Sequence, residues 1–365
     1  MSKRLEALSA SLTSQNLAAT AVVPGANLVY LAGLDMHKSE RLTVAFFTAA
    51  GEVAMVIPTL EAPRARAQAQ VPIRFYTWND DEGPDQALRQ CLEDLKLNGA
   101  KVGVEYTSMR VLELRGIEEL GEVDAVDATN LLADLRSRKD SDEVAAIRVA
   151  VRIIEEALQA TINQMKAGMT EIEVQQIWQA EVAKAGGVMS WTPIVASGPN
   201  GANPHHSNTD RKLQKGDLVV MDGGAHYGIY QSDITRTVAI GEPSEEARRI
   251  YDLVLAANTA AREASRVGAT GAEIDAAARK VISDGGYGPQ FLHRTGHGLG
   301  IEGHEPPYIV ASNHRPLPAG AVFTIEPGIY VEGVVGVRIE DDVIVTEEGA
   351  ESLTTFERGL IIIDA

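Results

Sequence analysis

Two stretches of this chain, QKGDLVVMDGG and PAGAVFTIEPG, read alike and stand 104 positions apart. Each opens on a glycine turn (Gly216, Gly320), runs through an apolar strand and ends on a carboxylate (Asp222, Glu326). The likeness extends upstream: Gly168-Met169-Thr170 opens one helix and Gly268-Ala269-Thr270 another. Each of these follows a long helix, and each opened helix ends in a glycine pair, Gly186-Gly187 or Gly285-Gly286. Downstream, Asp233 in YQSDITRTV pairs roughly with Glu340 in GVRIEDDVIV. A repeat of this length constrains the fold strongly, because each half buries its apolar face by packing against an equivalent one. Two helix-helix-strand halves are expected to form a pseudo-symmetric pair with their equivalent strands at the centre. Four carboxylates then converge there.

Carboxylates brought to one point repel one another unless cations lie between them. Two divalent cations balance the four negative charges. The strands LVVMD222 and VFTIE326 are also apolar enough to be buried, and a lone buried acid at their ends is costly. A neutral ligand is offered by HRTGHGLG, where His297 stands between Gly296 and Gly298, whose lack of side chains lets backbone and metal approach closely. A set of four carboxylates and one imidazole suits Mn²⁺, Co²⁺, Fe²⁺ or Zn²⁺ rather than Cu(I). His205 in ANPHHSN and His304 in EGHEPPY are loop histidines placed to give a proton or hydrogen bond at a reaction centre. Of His205 and His206, only one is expected to point inward.

With 365 residues, and about 150 per domain, two domains are expected. Residues 1–136 alternate strands (LAATAVV, LTVAFFT, VAMVIP, VPIRFYTW, KVGVEY, VDAVDA) with helical stretches, the pattern of a layered α/β domain. Residues 137–365 begin with a long helix: Asp140 and Glu143 form a helix-starting capping pair, and Val144, Ile147, Val151, Ile154 and Leu158 recur at helical spacing. The formal charge of −18 lacks the basic footprint of a nucleic-acid binder, and of polybasic attachment to an anionic membrane. A single cysteine, Cys91, excludes an internal disulfide framework and Cys-based zinc modules. No apolar run of about 18 residues and no signal-peptide core is present, so a cytoplasmic location and no membrane partner are expected.

The ordered set PHHSN, GDLVVMDGGAHYGIYQSDITRT, HRTGHGLGIEGHEPP, FTIEPGIY and GVRIEDDVIV resembles the pita-bread metallopeptidases: prolidase, aminopeptidase P, methionine aminopeptidase and the metal-free creatinase. The resemblance covers the whole second domain, and the first is similar to the N-terminal domain of the prolidase, aminopeptidase P and creatinase branch. It implies a creatinase-like α/β domain (1–136), then an α+β pita-bread catalytic domain (137–365) with an internal pseudo-two-fold repeat. Asp222, Asp233, His297, Glu326 and Glu340 would hold a dinuclear centre of Mn²⁺, Co²⁺ or Zn²⁺, with Asp233 and Glu340 bridging or chelating. Glu326 would also accept a proton from the metal-bound water, and His205 and His304 would bind the substrate carbonyl or the tetrahedral intermediate. His293 and Arg338 fall at positions this branch uses near the substrate. The implied reaction is attack by a metal-bridging hydroxide on the Xaa–Pro bond of dipeptides or short proline-containing peptides, by a homodimer. Two metals acidify a bridging water, and the histidines stabilise the oxyanion.

Within the branch, the N-terminal domain disfavours methionine aminopeptidase, and the full ligand set disfavours both creatinase and a peptide-binding relative without catalysis. Prolidase and aminopeptidase P both remain. The 34–42 segment, LDMHKSERL, is a candidate to close the far end of the pocket, with Arg41 binding a dipeptide's carboxylate. No G-x-S-x-G elbow supports a serine hydrolase, and the glycines around His297 lack the strand-loop-helix context of a dinucleotide site.

Overall fold

The computed structural model describes residues 3–364. Contacts within the chain gather into two units, 1–136 and 137–365.

The first unit is built on a six-stranded mixed sheet. Its order is Arg74–Trp78, Val53–Pro58, Val44–Thr48, Ala19–Val22, Lys101–Val104, Asp124–Asp127. The central runs VAFFT and VAMVIP are apolar without alternation, and every one of their residues is buried. That is the signature of strands covered on both faces. Helices supply the cover; Leu88, Cys91 and Leu92 of Asp85–Asp94 and Ile117 of Val111–Gly121 join Phe46, Val56 and Val102 in one apolar cluster. Cys91 is therefore a core residue, and burial pushes its thiol up to about 12.

The second unit opens with the helix Ser141–Ile162. Asp140 accepts hydrogen bonds from the backbone N–H groups of Asp142 and Glu143, and the Glu143 carboxylate accepts from the Asp140 N–H. The expected apolar stripe is buried at Ile147, Val151, Ile154 and Leu158. The repeat then appears as matched local structure. Thr170 caps the helix Glu171–Lys184 and Thr270 caps Gly271–Asp284, each through a capping box with the residue three on, Glu173 or Glu273. Both helices lie beside equivalent turns, for Thr170 bridges to Lys212 and Thr270 to Pro316. Gly168 and Gly268 have φ of 88° and 82°, and Gly216 and Gly320 of 92° and 82°, a region that favours glycine.

Each half places its helices on its own sheet. Ile153, Leu158 and Trp178 pack on Val219, Met221 and Val238 of the sheet formed by Ile194–Ser197, Leu218–Gly223, Ile234–Ile240 and Ile362–Ile363. Val254, Ile274 and Ala278 pack on Phe323, Ile325 and Val343 of the sheet formed by Glu305–Ile309, Gly296–Gly298, Val322–Ile325, Asp341–Thr346 and Gly349–Ser352. The sheets meet where Thr235 pairs with Glu340.

That meeting corrects one expectation. Thr235 lies opposite Asp222, and continuing the pairing of Ile325 with Asp341 puts Glu340 opposite Glu326. In register, then, Glu340 corresponds to Thr235, and the counterpart of Asp233 is Arg338. Asp222 and Glu326 are equivalent by duplication; Asp233 and Glu340 are not.

Candidate metal centre

Five side chains arrive at the junction of the halves, four from positions at or beside strand ends and one from within a short strand. Asp222 closes the strand Leu218–Gly223, Asp233 precedes Ile234–Ile240, His297 lies within Gly296–Gly298, Glu326 follows Val322–Ile325, and Glu340 precedes Asp341–Thr346. The glycines beside His297 serve the backbone: a Cβ on Gly296 would meet the Thr324 carbonyl, and one on Gly298 the Pro306 carbonyl. His297 thus sits on a strand squeezed between two others, which fixes its ring.

The ligand atoms form overlapping groups, each within 4.8 Å: Asp222, Asp233 and Glu340; and His297, Glu326 and Glu340. His297 Nε2 lies 3.4 Å from Glu326 Oε1 and 3.8 Å from Asp233 Oδ2. Its Nδ1 lies 3.2 Å from the Gly298 carbonyl oxygen. That oxygen only accepts, so Nδ1 carries the hydrogen and the Nε2 lone pair faces the carboxylates. Burial, with His304 adding to it, pushes the His297 imidazolium down to about 3. Burial, then Glu340 and Asp222, holds the Asp233 carboxyl well above its usual range. Burial and the neighbouring Glu326 and Asp222 do the same to Glu340, and burial pushes Glu326 up to about 7. Asp233 Oδ1 and Glu340 Oε1 are buried and have no hydrogen-bond partner among the described residues. Orphaned carboxylate oxygens facing a neutral imidazole lone pair fit divalent cations between them.

The other oxygens are held. Thr235 Oγ1 donates to Glu340 Oε2 at 2.6 Å. The Asp233 N–H donates to the buried Asp342 carboxylate at 3.0 Å. Arg338 pairs with Asp222 and donates to Tyr330 Oη at 2.8 Å, and Tyr330 Oη lies 2.8 Å from His293 Nε2.

Around the centre is a cavity of about 770 Å³, lined by the five ligand candidates together with His205, His293, His304 and Arg338. Trp191, Ile194 and Pro204 give it an apolar side, and Arg294 and Gln231 join the polar side. The His304 ring lies against that of His297 with centroids 3.9 Å apart, and Arg294 donates to His304 Nδ1 at 3.2 Å. Of the paired histidines, His205 faces the cavity, while His206 turns to the buried Glu171 at 2.8 Å. Every site residue expected from the sequence lines this cavity except Arg41. Arg41 belongs to the first unit, where Asp80 holds its guanidinium through two hydrogen bonds of 2.8 and 2.9 Å and Glu40 adds a third. Sequence reasoning missed Trp191, Arg294, Tyr330 and Thr235. Arg294 had a visible signal, standing beside His293 and three residues before His297.

The fold and this donor set define a metal-dependent hydrolase, and comparison with known proteins agrees. Residues 145–347 match metallopeptidase family M24, and residues 4–138 match the creatinase/prolidase N-terminal domain. The chain belongs to family M24 and carries a creatinase-type N-terminal domain before a pita-bread catalytic domain. It is similar to dipeptidase PepE from Mycobacterium ulcerans, 38% identical with a TM-score of 0.93 over 100% of this chain and 98% of that one. It is also similar to a prolidase from Thermococcus sibiricus, 36% identical, TM-score 0.92, over 99% and 98%. An X-Pro aminopeptidase from Thermotoga maritima is 32% identical, TM-score 0.86, over 98% and 99%. No helix among the described residues is long and apolar enough to cross a membrane.

Proposed function

We propose that this metallopeptidase is a dinuclear exopeptidase that hydrolyses the Xaa–Pro bond of dipeptides or short peptides. The observation that supports it most is the pair of orphaned buried oxygens, Asp233 Oδ1 and Glu340 Oε1, between His297, Asp222 and Glu326 in a histidine-walled cavity. Asp222, Asp233, His297, Glu326 and Glu340 would hold two divalent cations (Mn²⁺, Co²⁺ or Zn²⁺). When bound, such cations polarise a peptide carbonyl and bring water toward hydroxide near neutral pH.

The chain's own residues do the rest. Glu326, the least enclosed acid after Asp222, accepts the water proton. His205 and His304, exposed at the cavity wall, donate to the carbonyl oxygen as charge develops on it. Burial and Arg338 push the His293 imidazolium down to about 4, so that ring bonds as a neutral group. Arg338, fixed by Asp222 and Tyr330, orients the substrate beside it. The tertiary amide before proline has no N–H for an extended-strand grip, so a compact pocket that reads the free amino group and the ring suits it. Arg41 binds a dipeptide's carboxylate once released from Asp80; Arg41→Ala then raises KM for Ala-Pro and leaves kcat unchanged. We also propose a homodimer, on the family resemblance alone, and a cytoplasmic location.

The test is a paired assay of metal-loaded protein on Ala-Pro and Ala-Pro-Ala. Cleavage of the dipeptide alone assigns prolidase activity, and cleavage of the tripeptide assigns aminopeptidase P activity. Cleavage of neither overturns the reading.

A further inference from the structure

Outside the cavity, one carboxylate in the catalytic unit is better satisfied than any in the centre. Glu171, the first residue of the helix Glu171–Lys184, is fully buried. Its Oε1 accepts from the Ser197 N–H (2.8 Å), Ser197 Oγ (2.7 Å) and Asn200 Nδ2 (2.9 Å). Its Oε2 accepts from the Thr209 N–H (2.9 Å) and Thr209 Oγ1 (2.8 Å), and meets His206 Nε2 at 2.8 Å. One oxygen thus holds the start of the segment 197–209 and the other holds its end. Between them the chain has only the short turn Gly198–Ala202, and it carries His205 at the cavity wall.

The anchor is directional. An ionised carboxylate only accepts, so Nε2 of His206 carries a hydrogen and the His206 side chain is drawn away from the cavity. Pro204 and His205 form a turn closed by the His206 N–H donating to the Asn203 carbonyl at 3.2 Å, and with His206 held by Glu171 that turn leaves His205 facing the cavity. Burial opposes the charge on Glu171, yet the donors outweigh it and hold the carboxyl at about 2. The duplication shows that the helix itself does not need this residue. The equivalent position in the second half is Gly271, where a Cβ would meet the Tyr308 carbonyl. Both helices start with the same capping box, so a carboxylate at the first helical position is a feature of the first half alone.

We propose that Glu171 is a positioning residue of the reaction: through His206 and the two ends of the 197–209 segment, it fixes the presentation of His205 to the substrate. This rests on the reading that His205 contacts the substrate in the peptidase reaction.

The experiment is a double-mutant cycle on the metal-loaded full chain with Ala-Pro or Ala-Pro-Ala, whichever is cleaved. Glu171→Gln keeps the volume but turns an NH₂ toward donors. It is expected to lower kcat by about 10- to 100-fold, as displacement of a catalytic group by about 1 Å does, with KM within about twofold. Combined with His205→Ala, it should lower kcat no further than His205→Ala alone. Multiplying effects overturn the proposal. If Glu171→Gln does not fold, His206→Leu against His206→Gln reads the same link: the glutamine retains a donor and keeps most of kcat, and the leucine loses it. Equal loss in both overturns it. Amide exchange adds a readout independent of substrate: in Glu171→Gln or His206→Leu, protection falls at Ser197 and Thr209 and persists in the strands. Unchanged protection there, or loss throughout the unit, also overturns it. A wild type that cleaves no peptide, or a His205→Ala variant with full kcat, defeats the peptidase or His205 reading instead.

Discussion

Two acids in this protein show how surroundings decide what a carboxylate does. Asp233 and Glu171 are both buried, but Asp233 has one oxygen without a partner and carboxylates for neighbours, whereas Glu171 is ringed by donors. The first needs a proton or a cation to offset its charge, and the second needs neither. Asp233→Asn removes the charge and preserves the shape, so the expected outcome is loss of bound metal with the fold retained, read by metal analysis alongside circular dichroism. A metal-replete, fully active variant would sink the dinuclear assignment. For Glu171, the folded-state pKa of about 2 lies below the ordinary 4.5. A lowered acid pKa contributes stability that is present above pH 4.5 and lost as pH falls toward 2. The full difference is on the order of 3 kcal/mol. Glu171→Gln should therefore lower the urea midpoint at neutral pH and flatten its decline between pH 4.5 and 2. A parallel decline in both proteins contradicts the anchoring role.

At the scale of elements, what was legible in the sequence is what short stretches decide by themselves. The capping boxes at Asp140, Thr170 and Thr270 depend on residues three apart, so their helix starts were readable. The apolar runs VAFFT and VAMVIP were readable as strands for the same reason. Register was not. Thr235 lies 13 residues beyond Asp222, while Glu340 lies 14 beyond Glu326, and the pairing partners come from tertiary contact. Asp233 and Glu340 stand two places apart in that register, and two residues along a strand return to the same face, which is why both reach the site although they are not partners. The duplicated caps allow a matched test. Thr170→Ala and Thr270→Ala each remove a hydroxyl accepting from the N–H of Glu173 or Glu273, at a cost of about 1 kcal/mol. They lie in separate halves, so their effects should add within about 0.5 kcal/mol in denaturant unfolding. A large coupling term would show that the halves do not stabilise their helices independently.

Across the whole molecule, an excess of acid over base does not by itself mark a metal site. Fifty-one acidic residues are spread through the chain, and the informative ones follow apolar strands, where a charge is least tolerated. Composition therefore pointed nowhere, and context pointed to Asp222 and Glu326. The cavity wall was less legible, because Trp191, and Tyr330 behind Arg338, come from segments whose arrangement no periodicity records. The central carboxylates also set how the catalytic unit responds to metal and pH together. With cations removed, Asp233 and Glu340 are held well above the usual carboxylate range and Glu326 near 7. For an acid whose folded pKa is raised, the native state binds more protons than the unfolded one. Its stability is then greatest below the unfolded pKa of about 4 and falls as pH rises through the folded value. Bound cations take the place of those protons, so they should offset this loss and stabilise most where the carboxyls would otherwise ionise. Thermal unfolding with and without chelator should show a small Tm difference at pH 5 that widens by pH 8. A difference that is constant, or that narrows with pH, would mean that the converging acids are not what the metal neutralises.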